Sequence, residues 1–236
     1  MATIITGKNT IMEAIRVGRT VYEIYIQDHT NREILKLARE NNIPFTFMNK
    51  QTINETLPPN HQGVGAKIED YTYLTLEEAL AKPKNQKVFV MLDGLEDPHN
   101  LGAILRSADA FNVDGIIIPK KRSVQLTTAV AKVSTGAIEH VDVISVTNLH
   151  QTILTLKENG FWVVGTDMNT NETIHDIQVE TDLCIVIGSE GRGMSRLIRD
   201  HCDYIVKIPM NGHVNSLNAS VSAALVLYEV FRRKGE

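Results

Sequence analysis

The sequence is poor in the residues that mark redox and metal proteins. It has two cysteines, Cys184 in an apolar run and Cys202 beside His201, and no CxxC spacing. Such thiols are typical of buried or inert positions rather than of redox pairs or zinc sites. None of the eight histidines stands in a cluster with zinc-site spacing. We therefore expect no metal cofactor.

Long apolar runs are missing as well. A helix needs ~20 consecutive apolar residues to cross a bilayer, and no run in this chain approaches that length. The N-terminus reads MATIITGKNTIMEAI, which has neither the basic region nor the continuous apolar region of a secretory signal. We therefore expect a cytoplasmic protein that has no membrane partner.

An excess of basic residues is also missing. The chain has 24 Lys and Arg against 28 Asp and Glu, a formal net charge of -4. Proteins that coat nucleic acid without specificity need a dense field of cations to displace counterions, so any RNA contact here must be local. Three short basic clusters are candidates, although each alone is more often a solvated surface. They are Lys120–Arg122, the arginines Arg192, Arg196 and Arg199, and Arg232–Lys234.

What the sequence does have is a regular alternation of strands and helices. Up to about Asp70, strand-like VYEIYIQ and IPFTFM flank a helical NREILKLAREN, which predicts a small α/β unit. From Lys87 onward, apolar strands such as VFVML, GIIIP and LCIVIG alternate with helices, which predicts a mostly parallel sheet with helices on both faces. We predict an α/β fold with domains at residues 1–72 and 87–236 and a linker at 73–86, which ends in Pro, Asn and Lys.

Two loops after strands carry polar residues that packing does not explain, at the edge where ligands bind in parallel sheets. In LDGLEDPHNLGAILRSADAF, Asn100 stands where a helix N-cap belongs, and Arg106 suits phosphate or ribose oxygens. In LCIVIGSEGRGMSRLIRD, three glycines around Glu190 let the backbone approach a ligand. Their GxxGxG spacing matches neither the dinucleotide motif GxGxxG nor the phosphate loop GxxxxGK.

A third loop precedes the last helix, in IPMNGHVNSLNASVSAALVLYE. Asn211–Ser216 are small, polar or bendable, and Ser216 or Asn218 can cap the helix that follows. The apolar residues of that helix recur at helical spacing. The polar groups before it exceed what one cap uses, which favours a ligand site.

Together these loops resemble the three signature motifs of the SpoU, or TrmH, class of SPOUT RNA methyltransferases. The resemblance rests on Asn100–Ala108, Ile187–Ser195 and Ile208–Glu229, in that order and spacing, and it covers the C-terminal two-thirds of the chain. The preceding region opens with ITGKNTIMEAI and closes with HQGVGAKI. It is similar to the L30e-type RNA-binding domain of bacterial 23S rRNA guanosine-2'-O-methyltransferases, a layout that related tailoring and resistance methyltransferases share.

The resemblance implies a fold, a cofactor and a partner. The fold would be a SPOUT α/β domain with a trefoil knot, in which Asn211–Ser216 form the crossing, after a small L30e-like domain. S-adenosyl-L-methionine would be bound by backbone groups around Gly188, Ile208, Met210 and Leu217. A homodimer through the C-terminal domain is also implied, although the apolar face of its last helix fits an ordinary core equally well.

The resemblance also implies a catalytic set. Arg106 would be the base, and Asn100, Glu190, Ser216 and Asn218 would orient it and the ribose. Arginine has a pKa above about 12, so its deprotonation at neutral pH is costly. A second hypothesis is that Arg106 clamps a phosphate whose oxygen, or a water, accepts the proton.

Three classes of function remain to be compared. The first is methylation of a guanosine 2'-hydroxyl in 23S rRNA, with tRNA as the rival substrate; the additional N-terminal domain favours rRNA because the shortest tRNA-modifying relatives lack it. The second is a non-catalytic RNA-binding protein, which has no reason to keep all five polar groups. The third is a nucleotide-dependent oxidoreductase, which is disfavoured because LDGLEDPHN stands where GxGxxG is needed.

Overall fold

The computed structural model describes residues 2–235, and the chain divides into two compact units. One unit contains the residues up to Thr72 together with Leu126–His140, and the other contains Tyr73–Gln125 and the chain from Val141 onward. No helix in the described range is long and apolar enough to cross a membrane.

The first unit is built on a four-stranded mixed sheet. Its elements are β1 (Ala2–Thr6), α1 (Lys8–Arg16), β2 (Val21–Gln27), α2 (Arg32–Glu40), β3 (Phe45–Met48), α3 (Lys50–Thr56), β4 (Val64–Glu69) and, in chain order the sixth helix, α6 (Thr128–Ser134). The strand order is β1-β4-β2-β3. Strand β4 is antiparallel to both of its neighbours, whereas β2 and β3 are parallel.

Helix α6 lies in the sequence range predicted for the second domain, yet it clusters with the first unit. Its Val130 and Ala131 are buried, and the Thr10 hydroxyl donates to the carbonyl of Ala131 over 3.4 Å. Helical periodicity shows which face of a helix is apolar but not which sheet it covers. The helix was therefore predictable from the sequence, and its packing partner was not.

The second unit is built on a six-stranded sheet in the order β10-β8-β9-β5-β6-β7. Each neighbouring pair is parallel. Its elements are α4 (Leu76–Ala81), β5 (Val88–Asp93), α5 (Pro98–Ala110), β6 (Gly115–Pro119), β7 (Val143–Val146), α7 (Leu149–Glu158), β8 (Trp162–Thr166), β9 (Leu183–Gly188), α8 (Arg196–His201), β10 (Tyr204–Val206) and α9 (Ala219–Lys234).

Helices cover both faces of this sheet, as the apolar strands predict. On one face, Ile153 of α7 and Ile198 of α8 join a core with Phe89 and Val186 from the strands. On the other face, α5 and α9 pack against each other, and they contact β6 and β9 respectively. Burial on both sides explains why the strands are continuous apolar runs instead of alternating ones.

Residues 73–86, the predicted linker, cluster with the second unit. They contain α4, whose Leu76 and Ala79 are buried. After the helix, Lys82 pairs with Asp142 at 2.5 Å. The Lys and Pro residues that indicated a linker, Lys82–Lys84, therefore follow directly on the end of helix α4, which packs in the second unit.

Candidate active site

The loop after β9 brings backbone groups close together. The amide of Ser189 donates to the carbonyl of Gly193 over 3.1 Å, and the amide of Gly193 donates back over 2.9 Å. Gly191 and Gly193 have φ values of 80° and 65°, in the left-handed region that glycine adopts at little cost. A Cβ on Gly188 would lie 2.2 Å from the carbonyl carbon of Gly193. The glycines therefore permit a tight loop that carries Glu190.

Glu190 is held by residues from the other two motifs. The Nδ2 atom of Asn100 donates to Glu190 Oε1 over 3.0 Å, and Asn218 Nδ2 donates to the same oxygen. The amide of Ala219 lies 3.4 Å from it. Asn218 Nδ2 also donates to Asn100 Oδ1 over 3.0 Å. Three motifs that are distant in sequence thus meet in one hydrogen-bonded triad of Asn100, Glu190 and Asn218.

Asn218 also begins helix α9. Its Oδ1 accepts from the amides of Ser220 and Val221 at 2.9 and 3.3 Å, which is an N-cap. Because the amide oxygen caps the helix, the NH₂ group is directed to Glu190. The sequence allows Ser216 or Asn218 as the N-cap, and in the structure the N-cap is Asn218. Ser216 lies exposed in the loop before it.

Asn100 is not the N-cap of α5, and this prediction was wrong. The helix begins at Pro98, and its N-cap is Asp97, whose side chain accepts from the amide of His99 over 3.0 Å. Proline suits the first helical position because its missing N–H is not needed there. Asn100 therefore lies in the first turn with 5% of its surface exposed, where its amide is free to bond Glu190.

Arg106 lies on the same helix but outside the triad. Its side chain is exposed, and it forms no hydrogen bond or ion pair with any residue that the structure describes. The guanidinium is therefore accessible to a ligand. Its role as base or phosphate clamp stays a prediction.

A cavity of about 550 Å³ lies beside the triad. Its wall is formed by the loops after β8, β9 and β10 and by the start of α9. The four residues predicted to bind the cofactor line it, and so do three of the five predicted catalytic residues. They are Gly188, Ile208, Met210 and Leu217, with Glu190, Ser216 and Asn218.

The loop after β8 is the part of the cavity that sequence reasoning missed. Thr166, Asp167 and Met168 line the wall there. The Thr166 hydroxyl donates to the carbonyl of Val186 over 2.9 Å, and Asp167 accepts from Arg199 over 2.6 Å. The available signal was the Thr-Asp pair that follows the apolar WVVG strand at the ligand-binding edge.

Some charged side chains around the cavity have a partner of opposite charge and others do not. Asp167 is neutralised by Arg199, and Glu190 is bonded by neutral donors. Arg192 and Lys207 also line the wall, and neither pairs with an acid within residues 2–235. The cavity therefore has two cations that can meet an anionic ligand group.

The two thiols have the inert surroundings that the sequence indicates. Cys184 is fully buried, which raises the pKa of its thiol, and burial also raises the pKa of Cys202 to about 12. Both are therefore protonated at neutral pH, and a thiolate is what reacts or binds metal. Within the part of the chain that is described, no group of three or more His, Cys, Asp or Glu residues is arranged to hold a metal ion.

Two family models match this chain. Residues 87–228 match the SpoU rRNA Methylase family, and residues 4–74 match the family described as RNA 2'-O ribose methyltransferase substrate binding. A protein of Staphylococcus aureus (strain COL), whose name places it among TrmH family tRNA/rRNA methyltransferases, is 51% identical over 239 residues. That match covers 98% of this chain and 96% of the relative.

Solved structures share the fold. The SpoU methyltransferase AviRb from Streptomyces viridochromogenes, in complex with AdoMet, has a TM-score of 0.84 at 24% identity, covering 99% of this chain and 90% of that chain. The TrmH/SpoU tRNA modifying enzyme of A. aeolicus has a TM-score of 0.58 at 28% identity, covering 68% of this chain and 81% of that chain. These likenesses confirm the predicted SPOUT-type α/β fold class. The chain belongs to the SpoU, or TrmH, family of RNA methyltransferases.

Proposed function

We propose that this chain transfers a methyl group from S-adenosyl-L-methionine to the 2'-hydroxyl of a guanosine in 23S rRNA, the activity of the RlmB group within the family. The observation that carries the proposal is the triad of Asn100, Glu190 and Asn218. Glu190 and Asn218 line the cavity together with all four predicted cofactor residues.

The cavity suits S-adenosylmethionine. Its volume of about 550 Å³ lies within the roughly 300–1,000 Å³ that is usual for small-molecule and cofactor sites. The backbone amides of Ile208, Met210 and Leu217 lie outside helices and strands and make no hydrogen bond with other described residues. A backbone N–H that has no partner in the protein is open to a ligand, so these three amides can act as donors. Gly188 adds a stretch of wall without a side chain.

The chemistry requires the chain to hold a ribose hydroxyl and to accept its proton. When bound, S-adenosylmethionine supplies a methyl group on a positively charged sulfonium. Oxygen Oε1 of Glu190 is occupied by the triad, whereas Oε2 makes no hydrogen bond within the described residues. We therefore assign Oε2 to the ribose hydroxyl, because a fixed carboxylate oxygen can orient that group and draw on its proton.

Arg106 is assigned to the phosphate next to that ribose. Its exposed guanidinium carries five donors in a planar fork, which matches two phosphate oxygens at once. In this role it stays charged, so the cost of deprotonating an arginine does not arise. The phosphate oxygen, or a water bound to it, would then complete the removal of the proton.

The proposal includes a homodimer through α9. Val221, Leu225, Tyr228 and Phe231 follow one another at helical spacing and are each at least 40% exposed. An exposed apolar stripe of this kind on a packed helix is typical of an interface. Light scattering of the wild type should give a dimer, and Leu225→Glu should give a monomer; a monomeric wild type would refute this part.

The test is methyl transfer from tritium-labelled S-adenosylmethionine to unmodified 23S rRNA, 16S rRNA and tRNA in separate reactions. We expect label in 23S rRNA, a strong loss in Arg106→Ala, and wild-type transfer in the matched control Arg196→Ala, whose side chain is 93% exposed. Label in tRNA alone would contradict the substrate assignment but not the chemistry. An absence of both transfer and cofactor binding would favour a non-catalytic RNA-binding protein.

A further inference from the structure

The loop after β6 carries three consecutive cations that neither the fold nor the proposed chemistry uses. Lys120, Lys121 and Arg122 are all exposed. Their side chains form no ion pair or hydrogen bond with any residue between 2 and 235. In a chain whose net charge is -4, this open positive charge requires a separate explanation.

The loop is fixed by hydrogen bonds at both ends. The amide of Lys120 donates to the carbonyl of Val146, and the amide of Val124 donates to the carbonyl of Leu95, each over 2.8 Å. The side chain of Gln125 donates to the carbonyl of Pro119, at the end of β6, and to those of Ser123 and Val124 in the loop. The three cations are therefore presented on an anchored backbone.

The loop shares an edge with the candidate active site. Strand β6 pairs with β5, and β5 pairs with β9, all in parallel, so the loops after these strands lie along one edge of the sheet. Leu95, to which the loop is bonded, belongs to the connection between β5 and α5 that leads to Asn100. The cations therefore lie on the side of this unit where the RNA ribose must enter.

Three lysines near the opposite edge of the sheet differ in that acids neutralise them. Acids that precede the strands accept from them at 2.5, 2.7 and 2.8 Å. The pairs are Lys82 with Asp142, Lys84 with Asp114 and Lys157 with Asp203. Lys120, Lys121 and Arg122 have no such acid partners within the described residues, so their charge is open to a ligand.

We propose that Lys120, Lys121 and Arg122 bind the phosphodiester backbone of the RNA on one side of the methylated nucleotide. Three adjacent cations can displace the counterions of about three phosphates, and the arginine fork can bind one phosphate through two oxygens. The inference rests on the proposed function, because it extends the path of the same RNA across the catalytic unit. Phosphate contacts carry no sequence information. This surface would therefore contribute to the affinity for RNA and to its position on the protein, and the nucleotide would be selected at the active site.

The test is filter binding of unmodified 23S rRNA, 16S rRNA and tRNA at several KCl concentrations, without the methyl transfer reaction. The loop variant is Lys120→Gln/Lys121→Gln/Arg122→Asn; asparagine is chosen because Arg122 has a φ of 57°, which asparagine tolerates. The matched control, Lys82→Gln/Lys84→Gln/Lys157→Gln, changes the net charge equally near the opposite edge.

For the loop variant we expect binding of each RNA to weaken at least tenfold, and the slope of log affinity against log salt to fall by about two to three, at roughly 0.7–0.9 per lost phosphate contact. The control should keep the wild-type slope, and affinity for S-adenosylmethionine in calorimetry should be unchanged in both. A wild-type slope in the loop variant, or an equal fall in both variants, would overturn the proposal. The single variant Lys121→Gln, expected to lower the slope by about one, decides the matter if the triple variant fails to fold.

The binding assay also separates this proposal from the proposed function. A wild type that shows the loop-dependent slope but transfers no methyl group would refute the reaction and keep the RNA surface. A wild type that methylates RNA while the loop variant retains both slope and affinity would keep the reaction and refute the surface.

Discussion

The Nδ2 atom of Asn218 donates to the Oδ1 atom of Asn100 over 3.0 Å, although 118 positions separate the two residues. The same NH₂ group reaches Glu190, while the amide oxygen of Asn218 caps α9. One side chain therefore fixes the start of the last helix and also orients the carboxylate of the candidate site. Because the two roles use different atoms of the side chain, suitable variants of Asn218 can separate its effect on stability from its effect on activity.

Replacing Asn218 by serine should keep the helix cap and remove the hydrogen bonds to Glu190 and Asn100. Serine caps helices nearly as well as asparagine, so the melting temperature should stay close to that of the wild type. Its hydroxyl is too short to hold both Glu190 and Asn100, so kcat should fall by a factor on the order of 100, as when a preorganised donor is lost. Asn218→Ala should lose the activity and, in addition, about 1 kcal/mol of stability. If the serine variant were as active as the wild type, Asn218 would serve only as the N-cap of α9 and its bonds to Glu190 and Asn100 would not matter for activity.

The glycine loop gives a second prediction, on cofactor affinity. Gly188→Ala places a methyl group 2.2 Å from the carbonyl carbon of Gly193, a contact that only a shift of the loop can relieve. The affinity for S-adenosylmethionine in calorimetry should fall at least ~10-fold, since preorganised wall positions decide binding. Gly212→Ala is the control, because a Cβ there meets nothing within 4 Å. Similar affinities for the two variants would refute the assignment of this wall.

Arg199 is expected to act through the loop after β8. It donates to Asp167 over 2.6 Å and to the carbonyl of Asn169 over 3.0 Å, and so holds the cavity wall between them. Arg199→Ala should raise the KM for S-adenosylmethionine several-fold at nearly constant kcat, because a loosened wall costs binding more than chemistry. Arg199→Lys should recover part of the loss. If Arg196→Ala, on the same helix, had the same effect, a role in positioning the wall would be excluded.

Acid stability should report on Glu229 of helix α9. Hydrogen bonds from Arg232 and, secondarily, His175 lower the pKa of this carboxyl from 4.5 to about 2. A carboxyl whose pKa is lower in the folded state stabilises the fold above pH 4.5, and this stabilisation is lost as the pH falls from about 4.5 to 2. Urea unfolding of Glu229→Gln between pH 2.5 and 7 should therefore show a flatter loss of stability in that window.

A matched control for this titration is Glu158→Gln, at the exposed end of α7. It removes the same charge from a side chain that forms no ion pair within residues 2–235, so an equally flat curve in this variant would assign the effect to net charge and not to the contacts of Glu229. Parallel curves for wild type and Glu229→Gln would contradict the prediction.

Much of the candidate site was recognisable in the sequence because packing does not explain the spacing of its residues. Glycines around Glu190 at a strand end have no core to fill, and this is why the loop was recognisable in the sequence. Strand burial on both faces also leaves a direct trace, in continuous apolar runs such as β5 and β9.

The two misses have different causes. Asn100 and Asp97 are both good N-caps, and Pro98 decides between them in favour of Asp97 because proline suits the first helical position. That signal stands in the sequence and was overlooked. Asp167, by contrast, is an ordinary surface acid until the fold brings Arg199 to it from 32 positions away, which no local pattern shows.

The most direct test of the central claim is the position of the transferred methyl group. RNA methylated by the wild-type protein is digested to nucleosides and compared with the product of Glu190→Gln by mass spectrometry. The proposed function predicts 2'-O-methylguanosine from 23S rRNA, and the proposed role of Glu190 predicts a strongly reduced yield in the variant. A methyl group on a base, or an undiminished yield from Glu190→Gln, would contradict the account.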